Sequence, residues 1–135
     1  MSFIRIVAPL FGLAMLAVLL AGCSGLKDKE SSLDRTLNAY GSAVRWGDLA
    51  STYDFLAPEL AGQSEPPGDL GNIRVIQYEV LQRPVTDGDR ATLQARISYV
   101  HRDRQVVRTL DDRQEWRHDS EAGWRRSNPI PRMPP

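Results

Sequence analysis

The hydrophobic positions of this chain follow a helical period in its first half. After an apolar run over residues 6–20, apolar side chains recur at spacings of four, three and four residues, which is the pattern of one helix face. These side chains are Leu33, Leu37, Tyr40 and Val44. Ser32 precedes them and is a suitable N-cap, because its hydroxyl can accept from a free backbone amide of the first turn. The pattern predicts a helix that begins after Ser32.

A second, shorter helix is predicted to follow at once. Gly47 suits the left-handed position that ends a helix, and Asp48 can cap the next one. Apolar residues at helical spacing come after this break, and Ala57-Pro58 stops the pattern. These apolar residues are Leu49, Tyr53 and Leu56. Residues 59–71 (ELAGQSEPPGDLG) are rich in glycine, proline and acid and predict a loop.

The period then changes from 3.6 to 2. Residues 73–80 are rich in branched and aromatic side chains, and Asp87-Gly88 is a strong hairpin signal. After the hairpin, apolar residues alternate with polar ones from Ala91 to His101, as in a strand with one wet face. A third strand is predicted near Val106 to His118, and a fourth around Trp124.

Two N-terminal helices followed by four antiparallel strands predict an α+β domain. The sheet must cover its apolar face, and only the helices are available to do so. We therefore expect two helices packed on a curved four-stranded antiparallel sheet. Residues 129–135 belong to a segment with four prolines in eight residues (NPIPRMPP), which cannot continue a strand ladder. They are expected to be disordered or laid on the surface.

Cys23, the only cysteine, follows the apolar run after Ala21 and Gly22. That run is shorter than the about 20 residues a membrane span needs, contains Pro9, and is preceded by Arg5, which is the layout of a secretory signal. Leu20-Ala21-Gly22-Cys23 resembles the lipobox of bacterial lipoproteins. The resemblance implies cleavage before Cys23 and acylation of its thiol, including a palmitate-type chain, so that the protein is anchored to a lipid bilayer.

This resemblance implies the organisation of the whole chain. Residues 1–22 are then a lipoprotein signal peptide, residues 23–31 a lipidated tether, residues 32–128 the folded domain and residues 129–135 the proline-rich tail. Ser24 follows the cysteine, where aspartate would favour the inner membrane. The expected location is therefore the outer membrane of a bacterial envelope, facing the periplasm. The alternatives are an ordinary signal peptide and an apolar anchor that is retained.

Charge and residue types exclude several kinds of chemistry. After cleavage, 16 basic residues face 17 acidic ones, so the chain lacks the basic surplus of a nucleic-acid-binding protein. A lipidated Cys23 leaves no thiol for a disulfide. His101 and His118 are the only histidines, and no carboxylates stand at zinc-ligand spacing. The sequence predicts no metal and no cofactor.

The domain resembles the nuclear transport factor 2-like superfamily, in which a curved sheet wraps around helices. The resemblance covers residues 32–128 and rests on the helix break at Trp46-Gly47-Asp48, the hairpin about Asp87-Gly88 and the late Gly123-Trp124. Many members have a third helix, which residues 59–71 do not supply. The resemblance implies a pocket between sheet and helices, and some members are enzymes that use acid–base residues there.

Strand parity supplies the candidate pocket residues. If Leu110 and Trp116 face the core, Arg108, Asp112, Gln114 and His118 share that face, and Tyr99 ends the inner face of the preceding strand. A pocket lined by Tyr99, Arg108, Asp112 and Trp116 is the resulting hypothesis. The alternative is that these polar residues lie at a solvated sheet edge protected by charge. The tryptophans are expected in the core or beside the sheet, and an exposed one would indicate an interface.

Three functions follow from these observations. The first is an anchored, non-catalytic lipoprotein whose domain binds an envelope protein partner or a small apolar ligand. The second is an acid–base enzyme acting on a small hydrophobic substrate in the pocket. The third is a structural envelope component that associates with itself, for example as a homodimer.

Overall fold

Two long strands pair over eleven residues each, and this long ladder is the centre of the fold. The computed structural model describes the backbone of residues 7–46 and 48–135, and the side chains of residues 25–46 and 48–135. Strands β3 (Arg90–His101) and β4 (Val107–Asp119) pair antiparallel from Arg90↔Arg117 to Val100↔Val107. Each strand is thus about twice the usual length, which lets the sheet curl.

Three shorter strands complete the antiparallel sheet. β1 (Ile73–Val80) and β2 (Val85–Asp87) both pair with β3, and β5 (Gly123–Arg126) pairs with β4, giving the order β1-β3-β4-β5. A bulge between Val75 and Gln77 interrupts the β1–β3 ladder. Bulges increase local twist, and the sheet is curled like half a barrel. The predicted α+β class is confirmed.

The hairpin predicted at Asp87-Gly88 is present. Asp87 pairs with Arg90, so the two central residues of the turn are Gly88 and Asp89. Gly88 has φ of +58°, in the left-handed region that glycine adopts without a steric penalty. The Asp-Gly signal therefore placed the hairpin correctly, with the turn one residue further along.

The helical part differs from the prediction. Helix α1 (Val7–Trp46) has no start at Ser32, because it already includes the polar residues 24–31. Lysine, glutamate and leucine in this stretch all favour helix, so its polarity did not prevent helix formation. The position of Gly47 as the helix end lies outside the described residues.

The predicted second helix is a 3-10 helix (Leu49–Phe55), followed by the four-residue helix α2 (Pro58–Ala61). Asp48 caps the 3-10 helix, as expected: the Oδ1 of Asp48 accepts from the backbone amide of Ala50 at 3.0 Å. Pro58 starts α2 rather than ending a helix, because proline fits the first helical turn. A further 3-10 turn (Leu70–Asn72) leads into β1.

The chain divides into two units, Met1–Arg35 and Thr36–Pro135. Within the second unit, the last turns of α1 pack on the inner face of the sheet. A methyl group at Gly41 would come within 3.0 Å of the Tyr78 ring of β1, so the helix backbone and the strand approach closely there. Tyr40 and Val44 are buried, and Leu37 is half-buried.

The two faces of the long strands differ as predicted. Every second residue of β3 from Ala91 to His101 is buried. The outer face carries polar groups, among them the Arg96–Asp111 pair, with 2.8 Å between Nε and Oδ1. Within the described part of the chain, no helix has the length and hydropathy required to cross a membrane.

Candidate functional site

Asp112 and Arg126 form an ion pair at the centre of the second unit. Arg126 Nη2 donates to Asp112 Oδ1 at 2.6 Å, and Nη1 donates to Oδ2 at 3.0 Å, so both carboxylate oxygens are engaged. The side chain of Arg126 is 0% exposed and that of Asp112 is 1% exposed. Two-point pairing of this kind has the geometry in which an arginine binds a carboxylate best.

Tyr40 and Gln114 extend this pair into a network. Arg126 Nη1 also donates to the hydroxyl of Tyr40 at 2.6 Å, which joins α1 to β5. Gln114 Nε2 donates to Asp112 Oδ2 and to the Tyr78 hydroxyl, each at 2.9 Å. Its Oε1 accepts from the Trp116 indole N–H at 3.2 Å. Among the described residues, every buried side-chain nitrogen and oxygen has a hydrogen-bond partner.

Aromatic rings close the network on the helix side. Tyr40 meets Trp116 edge to face, with ring centroids 5.4 Å apart, and meets Phe55 of the 3-10 helix at the same distance. These contacts exclude water from the ion pair. Burial alone would lower the pKa of Arg126, but the bonds from Asp112 and Tyr40 outweigh it and the pKa is raised. The guanidinium therefore stays charged.

The four residues of the predicted pocket do not share one environment. Asp112 and Trp116 belong to the buried network, as strand parity predicted. Tyr99 is buried opposite Arg108 in the β3–β4 register, and its hydroxyl donates to the carbonyl of Pro134 at 2.8 Å. Arg108 is exposed. Asp112 is thus held in the ion pair with Arg126, whereas Tyr99 contacts Pro134 and Arg108 is exposed.

A cavity of about 420 Å³ lies elsewhere in the second unit. Its first wall is the 3-10 helix with Leu49, Thr52 and Tyr53, and its second is the loop leading into β1, with Leu70 and Ile73. The third wall is residues 130–135. The remaining lining residues, from the loop, are Glu65, Pro67 and Asp69. A volume of this size accommodates a small organic molecule.

Five of the fourteen residues that line the cavity are polar or charged, namely Thr52, Tyr53, Glu65, Asp69 and Arg132. Arg132 and Asp69 both act electrostatically on Tyr53, whose pKa is raised mainly by burial. Thr52 is buried and donates to the carbonyl of Leu49 at 2.6 Å, so its hydroxyl proton is already used. Most of the other lining side chains are apolar. A mostly apolar wall with a few polar groups is typical of small-molecule sites.

The proline segment, residues 129–135, lies against the domain. The carbonyl of Pro129 accepts from Arg126 Nη2 at 3.0 Å. Further along, the Pro134 carbonyl accepts from Tyr99, and the Met133 carbonyl lies 3.0 Å from His101 Nε2, which therefore carries the proton. The segment has no helix or strand, and side chains of the domain bind its carbonyls.

The remaining candidates are placed as follows. His118 stacks edge to face on Trp124, with centroids 5.2 Å apart. Trp116 and Trp124 are buried, whereas Trp46 is 79% exposed beneath the guanidinium of Arg45. Within residues 25–46 and 48–135, no cluster of histidine, cysteine and carboxylate side chains could hold a metal ion. The side chain of Cys23 lies outside the described residues.

Arg126 and the cavity were missed by the sequence analysis. Arg126 could have been found, because it lies two residues after Trp124 in a strand and must share the inner face with it. No comparable pattern in the sequence indicated the cavity. Its walls come from a loop and a proline segment, whose positions no periodicity specifies.

A scan against protein-family models finds no match, and a search of curated proteins finds no significant relative. Among solved structures, the chain is similar to the solution structure of RPA3114, a SEC-C motif containing protein from Rhodopseudomonas palustris. The TM-score is 0.53 at 15% identity, over 73% of this chain and 74% of that one. At this identity the likeness concerns the fold alone.

Asp111 and Asp112 provide a matched test of the network. The two residues are adjacent on β4, and each pairs with its own arginine, but their side chains lie on opposite faces of the sheet. Asp112→Asn should lower the free energy of unfolding by about 3–5 kcal/mol, because Arg126 is left charged and buried. Asp111→Asn should cost far less, because that pair is solvated. Urea denaturation of both variants measures the difference, and equal losses would contradict a central role for Asp112.

Alkaline titration tests the burial of the tyrosines. Burial raises the pKa of all four, namely Tyr40, Tyr53, Tyr78 and Tyr99. The unfolded chain therefore loses phenolic protons at lower pH than the native one, so the free energy of unfolding should fall as the pH rises above about 10. Absorbance at 295 nm should rise near pH 10 in urea and at higher pH in buffer. Coincident curves would show that the phenols are solvated.

Proposed function

We propose that this protein is a lipid-anchored protein of the bacterial envelope whose domain binds a small apolar ligand. The observation that carries the binding function is the cavity of about 420 Å³ between the 3-10 helix, the loop before β1 and the proline segment. The anchoring rests on Leu20-Ala21-Gly22-Cys23 and its distance from the apolar run.

The ligand follows from the chemistry of the wall. Leu49, Leu70 and Ile73 offer branched side chains, and the proline rings and Met133 offer further apolar surface. Each methylene moved from water to such a wall contributes about 0.8 kcal/mol. Tyr53 and Arg132 supply polar groups that could orient one end of the ligand. A compact, largely apolar molecule fits this wall better than an extended protein surface.

The anchor would hold this domain at a membrane surface on the periplasmic side, where apolar ligands could reach it from the bilayer. A single acyl chain binds a bilayer only reversibly, whereas two or more give stable attachment. A fully acylated Cys23 would therefore keep the domain at the outer membrane. Binding a ligand in this way requires no catalytic activity of the domain.

The acid–base alternative would use Asp112 as its buried carboxylate. In the structure, Asp112 is engaged in the ion pair with Arg126. Both of its oxygens accept from Arg126, and Gln114 donates to one of them as well. A carboxylate held in this way has no free lone pair aimed at the 420 Å³ cavity, which Asp112 does not line. Of the open alternatives, self-association has one supporting feature, the exposed indole of Trp46.

Filling the cavity tests the binding function. Leu70→Trp places a large ring in the half-buried wall and should weaken binding of indole, a small neutral probe, at least tenfold. Val106→Trp is the control, because Val106 is 55% exposed and does not line this cavity. The measurement is an NMR titration of the full chain in detergent, following the Met133 methyl signal. Equal indole binding by Leu70→Trp and the wild type would exclude the cavity as the site.

Mass spectrometry tests the anchor separately. The protein purified from the membranes of a bacterium with two membranes should begin at Cys23 and carry fatty acyl groups. Cys23→Ser should retain residues 1–22 or appear without acyl groups, since the hydroxyl cannot form the thioether. Ser24→Ala should be processed like the wild type. An acyl-free wild-type protein would overturn the anchor and leave the cavity unaffected.

A further inference from the structure

The proline segment supplies a large part of the candidate binding site. Six of the fourteen residues that line the cavity belong to it, over positions 130–135. The other eight form a surface on the 3-10 helix and the loop before β1. Without the segment this surface would face water, so the cavity has its third wall only while the segment is docked.

Hydrogen bonds hold the segment at both of its ends. Near the domain, the carbonyl of Pro129 accepts from the buried Arg126, and Asn128 Nδ2 donates to the carbonyl of Arg113 at 2.6 Å. At the far end the polar contacts are those of Tyr99 with Pro134 and of His101 with Met133. Residues 132, 134 and 135 are exposed. The near end is therefore continuous with β5 and fixed to the ion pair, whereas the far end is held by the hydrogen bonds from Tyr99 and His101.

The contacts at the far end suit this particular segment. Proline has no amide hydrogen, so residues 129–135 cannot join the sheet as a strand. Their carbonyls can still accept hydrogen bonds. Tyr99 and His101, at the C-terminal end of β3, donate these hydrogen bonds. Both side chains are nearly buried, at 2% and 5% exposed, which fixes the position of each donor.

We propose that docking of residues 130–135 and ligand binding are coupled, with the docked segment forming the ligand's third wall. This proposal rests on the binding function proposed for the cavity. A ligand that contacts the segment stabilises the docked state, and by reciprocity an undocked segment lowers the apparent affinity for the ligand. The affinity falls in proportion to the docked fraction. Whatever displaces the segment would therefore release the ligand.

Met133 reports on docking directly. The chain has three methionines, and the other two, Met1 and Met15, lie in the leader. In the full chain labelled with methyl-¹³C methionine, the Met133 signal is assigned by its loss in Met133→Leu. The variant under test is Tyr99→Phe/His101→Leu, which removes both far-end hydrogen bonds. Ser98→Ala is the matched control, because its hydroxyl contacts Thr109 on the outer face.

Each lost hydrogen bond should lower the ratio of docked to free segment about three- to tenfold. The Met133 signal of the double variant should therefore move toward the position of a free methionine, and indole should move it back. Indole affinity should fall at least threefold. Ser98→Ala should behave as the wild type in both measurements. If the double mutant is poorly folded, Tyr99→Phe alone gives the same test with a smaller shift.

Three results would overturn the proposal in distinguishable ways. A Met133 signal unchanged in the double variant would show that Tyr99 and His101 do not hold the segment. Undocking without any loss of indole affinity would show that the segment is not part of the site. Failure of the wild type to bind indole, with undocking still visible, would refute the cavity as a binding site and the coupling with it.

Discussion

The ion pair between Arg126 and Asp112 is the interaction on which the rest of the second unit depends. A guanidinium and a carboxylate without solvent exposure are stable only when each finds its full set of partners. Asp112 lies on the central ladder, Arg126 on the short strand β5, and the guanidinium also donates to Tyr40 of α1. One charged group therefore joins the sheet, its last strand and the helix.

The same arginine connects the core to the candidate site. Its Nε donates to Asn128 and its Nη2 to the carbonyl of Pro129, which fixes the start of the proline segment. The backbone amide of Ala57 also donates to the carbonyl of Arg126 at 2.8 Å, attaching the chain after the 3-10 helix to β5. Two of the three walls of the cavity are thus attached close to the ion pair.

Much of the sheet could be predicted because strand periodicity is local. The alternation from Ala91 to His101 identified the buried face, and parity on β4 placed Asp112 and Gln114 beside Trp116 correctly. The helices were harder. The charged residues 24–31 have side chains that favour helix as well as solvent, and neither composition nor period showed that α1 passes through them. The stripe at Leu49, Tyr53 and Leu56 suits an α-helix and a 3-10 helix alike.

The sequence by itself determined the class of fold, the hairpin and the inner face of each long strand, because spacing along one strand decides which side chains share a face. Only the tertiary structure decided what Asp112 does, since its partner Arg126 is fourteen residues away on another strand. The tertiary structure also decided where the cavity lies. Its walls come from segments without periodicity, which are positioned by individual hydrogen bonds to carbonyls rather than by a repeating pattern.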